Sequence, residues 1–400
     1  MLFKYLMALG LMAFSDGFKN RNVCKKWSDY TVLSYFDKKS SCWYNEDVRA
    51  TTDAIAKRHN YQVQTHNVTT EDGFILKVFR IANATSSFDE PRQPILLVHG
   101  TLSNSELWIQ RGDDSIGFLL ADMGYDVWLS NSRGTYYSST RVKGLYSDYW
   151  DHTFDDLAKD NPAVLEYIDK ETRQAGNILY LGHSAGNTQM MAYASDRPDH
   201  AKKYLKAILN FAPVVYLDKE EFLIKAVKVL VKLPIRKISV RQYILKNLCS
   251  MTYVNIKLCR AVIAKTFGPE NGIHDPEIFP TFMGMFPDQE GINIFKQYMQ
   301  LADSAEFKKY DYGPRKNLIM YDSIKPPMYD MSKINIPMYM FVGEDDGIGT
   351  MESAKKVQKV MKVYTEIFKV DKYSHLTFFL GNNIQEVLYP PFKKVLEKLR

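Results

Sequence analysis

The chain has 400 residues, 46% of them hydrophobic and 24% charged, which excludes the weakly hydrophobic class that stays disordered and allows a large buried core. Its formal net charge of +6 is modest and its lysines and arginines are scattered, which argues against nucleic acid as a partner and leaves a mild attraction to anionic lipid. The length exceeds one typical domain, and one α/β core with an insertion is the expectation.

Residues 1–17, MLFKYLMALGLMAFSDG, have a lysine near the start, an apolar run and then small residues, the pattern of a secretory signal peptide. The run falls short of the roughly 20 residues that cross a bilayer, and no later stretch is long and uncharged enough to do so. Entry into an oxidising compartment makes disulfides the natural state of the four cysteines. Three connectivities exist, and nearness in sequence favours Cys24 with Cys42 and Cys249 with Cys259. Asn-x-Thr sequons at Asn67 and Asn83 are candidate glycosylation sites in the same compartment.

Two strand-like runs, residues 61–69 and 74–81, flank the turn-forming cluster Thr70-Glu71-Asp72-Gly73 and read as a hairpin at an antiparallel sheet edge. Short apolar runs then alternate with helical patterns. The runs are PILLV (94–98), YDVWL (125–129), NILYLG (177–182), AILNFAP (207–213) and IPMYMFVG (336–343), with another at 365–370. Helices are expected at 115–123, 155–168 and 351–362. Strands apolar on both faces, separated by helices, predict a mostly parallel sheet covered on both sides. The alternation stops over residues 214–317, which read as an inserted helical domain. The core is thus split into 18–213 and 318–400. A helix expected at 222–233 sets Lys225, Lys228 and Lys232 along one side, and this serves equally a helix packed on the core or a lipid-facing lid.

The sharpest motif is Gly182-His183-Ser184-Ala185-Gly186, directly after an apolar run and before a helical stretch at 187–194. It is a G-x-S-x-G nucleophile elbow in its required strand-turn-helix setting, the mark of the α/β-hydrolase fold. Gly182 and Gly186 are needed because the turn leaves no room for side chains two residues either side of the serine. A serine hydroxyl needs an imidazole to take its proton and a carboxylate to orient that imidazole, and in this fold they follow in the order Ser, acid, His. Of the eight histidines only His375 lies beyond the acid candidates. Asp346, in Gly343-Glu344-Asp345-Asp346-Gly347-Ile348, is the expected acid, and Asp345 remains the alternative. The oxyanion is expected to bind the backbone amides of Ala185 and of Thr101, in the His99-Gly100-Thr101 run after an earlier strand. His99 and His183 read as structural. The histidine and cysteine spacings contain no metal motif, no phosphate-binding loop is present, and this chemistry requires no cofactor.

Read together, these segments resemble the acid lipases, the group that includes gastric lipase and lysosomal acid lipase. The resemblance runs through Thr70 to Leu76, Leu97-Val98-His99-Gly100, Gly124 to Leu129, Asn131-Ser132-Arg133-Gly134 and the elbow. It continues in Tyr310-Asp311-Tyr312-Gly313 with Asn317, Pro326-Pro327-Met328-Tyr329 and the Asp346 and His375 loops. It implies hydrolysis of triacylglycerols or sterol esters at a lipid surface, a cap with a mobile lid, a secreted or lysosomal location, and a cap disulfide between Cys249 and Cys259. Two positions depart from the family pattern. It usually has Gln after the nucleophile and an apolar residue after the His-Gly pair, where this chain has Ala185 and Thr101. The competing readings are an esterase of small soluble esters, a lipid acyltransferase, or a silent lipid-binding protein on the same scaffold.

Overall fold

The computed structural model describes residues 22–31, 40–142, 146–217, 228–229, 231–239, 249 and 253–400. The signal-peptide segment and most of the expected basic helix at 222–233 lie outside them; within that stretch Lys228 and Val229 are helical, and Val231 to Leu233 form a turn and a bend.

In chain order the strands are β1 (Val23–Cys24), β2 (Cys42–Trp43), β3 (Tyr61–Thr69), β4 (Phe74–Asn83), β5 (Pro94–Val98), β6 (Asp126–Ser130), β7 (Thr140–Arg141), β8 (Ile178–His183), β9 (Leu205–Phe211), β10 (Lys237–Ile238), β11 (Glu290–Gly291), β12 (Met338–Gly343) and β13 (Thr365–Val370). The helices used below are α1 (Ile116–Asp122), α2 (Phe154–Leu157), α3 (Asp160–Thr172), α4 (Ala185–Asp196), α5 (Tyr253–Phe267), α6 (Ile292–Ser304), α7 (Pro314–Tyr321) and α8 (Met351–Val360).

The main sheet, nine-stranded among the described residues, runs β13-β12-β9-β8-β5-β6-β4-β3, with β7 paired to β4. From β13 to β6 every neighbour is parallel, whereas β4 pairs antiparallel with β6 and β3 with β4, so the hairpin closes one edge as expected. Successive side chains face opposite sides of a strand, and both sides are buried here. In β5, Ile95 and Leu97 join one core layer while Leu96 and Val98 join the other; β12 divides Tyr339 and Phe341 from Met338, Met340 and Val342 in the same way. Each fully buried side chain of this kind contributes about 1.5–3 kcal/mol from water exclusion. Continuous apolar runs are therefore what this sheet requires.

Several boundaries differ from the sequence reading. The single helix expected at 155–168 is two, α2 and α3. Pro162 has no amide to donate to the carbonyl of Ala158, so the ladder breaks between them, and the break frees Asp160 to reach Arg133. The strand expected through Pro213 stops at Phe211 because Ala212 takes a left-handed conformation, φ 47°. The insertion boundary at Asn317 falls inside α7. Asn317 is fully buried; its Nδ2 donates to Asp311 Oδ1 at 2.7 Å and its Oδ1 accepts from the Tyr312 amide at 2.8 Å.

Both favoured disulfides are formed, Cys24–Cys42 joining β1 to β2 and Cys249–Cys259 anchoring α5. Among the described residues no helix is long and apolar enough to cross a membrane.

Candidate active site

β8 delivers Ser184 into a turn that only a strained backbone completes. Ser184 has φ 53° and ψ −116°, outside the regions an ordinary side-chain-bearing residue occupies, and is held there because its amide donates to Phe211 O at 3.1 Å and α4 begins at the next residue. The flanking glycines are forced by contact. A methyl group on Gly186 would lie 2.3 Å from Val98 O, and one on Gly182 would lie 2.2 Å from Asn187 Oδ1.

Three side chains from separate loops meet at this turn. His375 Nε2 accepts from Ser184 Oγ at 2.8 Å, and His375 Nδ1 donates to Asp346 Oδ2 at 2.9 Å and Oδ1 at 3.1 Å. Asp346 follows β12 and is oriented by the amides of Ile348 and Gly349, which donate to its Oδ1 at 2.8 and 2.7 Å. Asp345, the alternative acid, turns away and accepts from Asn271 Nδ2 at 2.7 Å. Both partners of the serine are buried, so a proton taken up by His375 would be attracted to Asp346 across a poorly screened gap.

The two neighbouring histidines are buried and serve the backbone. His99 Nδ1 donates to Gly100 O at 2.8 Å while its Nε2 accepts from the Ser132 amide at 3.2 Å; burial lowers its pKa to about 4, so it stays neutral. His183 Nε2 donates to His375 O at 3.1 Å, and burial, with the adjacent His375 and His99, holds its pKa well below the usual histidine range. Neither contacts Ser184 Oγ by a hydrogen bond.

The loop after β5 packs directly on the elbow. A methyl group on Gly100 would lie 2.9 Å from Ser184 Cβ, so the chain reaches Thr101 with its backbone against Ser184. Leu102, the next residue, is left-handed with φ 59°, a strained state for a bulky side chain.

Matches to known proteins agree with this geometry. Residues 52–112 match the model of a partial α/β-hydrolase lipase region, and residues 93–205 match that of the α/β-hydrolase fold. Lipase 1 of Drosophila melanogaster is 28% identical over 366 residues, covering 88% of this chain and 81% of that protein. Gastric triacylglycerol lipase of Rattus norvegicus is 28% identical over 348 residues, 82% of this chain and 87% of that one. The chain is thus similar, over most of its length, to lipases of the gastric type. The fold recurs in the crystal structure of a putative lipase from Sulfolobus solfataricus, with a TM-score of 0.60 at 14% identity over 89% of this chain and 98% of that one.

The chain builds a cleft over the serine. Apolar side chains dominate its lining. The stretch read as an insertion contributes Phe267, Phe286, Phe295 and Tyr298, and the loops after β9 and β12 contribute Val214 and Ile348. None of these was singled out from sequence; aromatic density in the insertion was the available signal, but not which rings face inward. The end of α5 also clamps the acid and histidine loops. Phe267 O accepts from the His375 amide at 3.0 Å, the Phe267 ring stacks on the imidazole at 5.8 Å between centroids, and a methyl on Gly268 would lie 2.2 Å from Asp345 O.

Asp288, also unforeseen, ties the insertion to the loop after β5. Its amide donates to Leu102 O at 2.7 Å, and its carboxylate accepts from Asn104 Nδ2 at 2.8 Å and from the Tyr136 amide at 3.1 Å. Burial raises its pKa to about 6. The sequons differ in setting. Asn67 is exposed on the edge strand β3, whereas Asn83 Nδ2 donates to Asp122 Oδ1 at 2.5 Å. Among the described residues no histidine, cysteine and carboxylate cluster suits a metal ion.

Proposed function

We propose that Ser184, His375 and Asp346 form the catalytic triad of a lipase acting on carboxylic esters of lipids, triacylglycerols or sterol esters. The observation that carries this reading is the unbroken chain Ser184 Oγ to His375 Nε2, and His375 Nδ1 to Asp346, under an apolar cleft. Ser184 Oγ attacks the acyl carbonyl and passes its proton to His375 Nε2 while Asp346 stabilises the imidazolium. The carbonyl electrons move onto oxygen, which the amides of Thr101 and Ala185 stabilise. Collapse expels the alcohol, protonated by His375, and leaves an acyl-enzyme. Water, deprotonated by the same imidazole, then releases the fatty acid and restores Ser184. No cofactor enters the cycle.

The relatives named gastric triacylglycerol lipase and Lipase 1 support the lipid class. The walls of Phe267, Phe286, Phe295 and Ile348 favour an acyl chain over a small polar ester, because an apolar chain leaves water on entering them. In this reading residues 214–317 form the cap, with a lid that meets the lipid surface. Secretion or lysosomal delivery follows from the signal peptide at 1–17, the two disulfides and a glycan at Asn67; a glycan at Asn83 requires loss of its bond to Asp122.

The test is fatty-acid release from emulsified long-chain triacylglycerol and from cholesteryl ester, for the wild type and Ser184→Ala. Release by the wild type with a silent variant supports the reading, and the preferred emulsion names the substrate. Turnover of a soluble short ester alone makes the protein an esterase, and silence on every ester overturns hydrolysis.

A further inference from the structure

Thr101 carries a hydroxyl with no evident occupation. Its Oγ1 is buried and makes no hydrogen bond among the described residues. Buried polar atoms are normally paired, and an unpaired one at a functional site calls for a partner that arrives from outside. No partner is found among the described residues. Tyr298 Oη is near enough for Thr101 to oppose the upward push that burial gives its phenol pKa, yet the two lack hydrogen-bond geometry. Tyr298 Oη instead lies 3.5 Å from Thr188 Oγ1, which donates its own proton to Val214 O at 2.5 Å and is therefore left to accept. No described acceptor takes the Thr101 proton.

The location identifies what would take it. Thr101 follows Gly100, whose Cα sits against Ser184, and it lines the cleft together with Ser184 and His375. In the proposed reaction the one atom that gains charge beside this loop is the substrate carbonyl oxygen. A threonine proton rotates freely about Cβ–Oγ1, so the hydroxyl can follow that oxygen from trigonal to tetrahedral geometry. The surrounding apolar walls leave the developing charge poorly solvated, which increases the worth of each fixed donor.

We propose that Thr101 is a catalytic residue through its side chain as well as its backbone, its hydroxyl donating a third hydrogen bond to the oxyanion of the tetrahedral intermediate. As Ser184 Oγ bonds to the carbonyl carbon, the π pair moves to oxygen and the serine proton passes to His375; the Thr101 proton stays on Oγ1 and is shared with the new oxyanion. This rests on the assignment of Ser184 as nucleophile.

The experiment compares the wild type with Thr101→Val, Thr101→Ser and Ser184→Ala on p-nitrophenyl butyrate, and measures inhibition by butaneboronic acid, which becomes a tetrahedral anion on the serine. Valine keeps the shape and the amide and removes only the hydroxyl. For Thr101→Val, kcat falls roughly ten- to a hundredfold with KM little changed, the boronate binds more weakly by a similar factor, and Thr101→Ser recovers most of both. Its thermal midpoint does not fall, because a methyl replaces an unsatisfied buried hydroxyl. Wild-type kcat in Thr101→Val, or a loss that serine does not recover, overturns the proposal. Should the valine variant fail to fold, Thr101→Ala carries the same expectations. Activity surviving in Ser184→Ala overturns the nucleophile assignment itself, whereas a silent Ser184→Ala beside an unimpaired Thr101→Val overturns the hydroxyl's role alone.

Discussion

At the carboxyl ends of β5, β8 and β12 the proposed reacting groups are placed by backbone. The strain at Ser184, the contact of Gly100 with the elbow and the two amides on Asp346 leave each group little freedom. The insertion reaches the same cleft mainly with side chains, the rings of Phe267, Phe286, Phe295 and Tyr298, and binds the core at a few points such as Phe267 O and the Asp288 amide. On the proposed function, chemistry falls to parts that cannot shift without unmaking strands, and substrate fit to parts that can vary without disturbing the sheet.

Substitutions on the two sides should therefore separate. The largest effect is expected from Ser184→Ala, a fall in kcat of about 10⁵-fold or more on every ester, with circular dichroism unchanged. Asp346→Asn should cost about 10⁴-fold by mis-setting the His375 tautomer, while Asp345→Asn leaves kcat near wild type; equal losses in the two variants would reopen the identity of the acid. Away from the reaction, Arg133→Leu should destabilise by about 3–5 kcal/mol in urea unfolding, since it strands Asp160 and Asp72. On the insertion side, Phe295→Ala should lower the preference for long over short acyl chains by roughly tenfold and spare the turnover of p-nitrophenyl acetate. A matching loss on acetate would break the division, because it would show that the insertion also holds the reacting groups.

The motifs that carried the family resemblance turn out to do different kinds of work. The elbow and the His375 loop bear the proposed reacting atoms. Asp72 and Arg133, from the hairpin turn and the Asn131-Ser132-Arg133-Gly134 segment, instead make a buried ion cluster with Asp160 beneath the sheet edge, with the guanidinium 4.0 Å from the Phe74 ring centroid. Asp155 accepts from the hydroxyls of Tyr321 and Tyr329, so the segment at Pro326 to Tyr329 braces α2. Sequence pattern marked all of these as a set but did not distinguish the chemical members from the structural ones, since both kinds are polar residues in turns.

What the residues alone determined is local or governed by chain order. Strands follow from apolar runs too short for helices, the elbow from glycines two residues either side of a serine, and the candidate base from being the one histidine after the acid loop. Tertiary structure decided what depends on direction and depth. Adjacent carboxylates Asp345 and Asp346 are nearly equivalent as sequence, and the turn after β12 aims one at His375 and the other at Asn271. The aromatic walls, the Asp288 tether and the unpaired Thr101 hydroxyl arise from segments far apart in the chain, brought together by the packing of the insertion over the strand ends. No local rule encodes such contacts, because each side chain's partner is chosen by the path of the whole backbone.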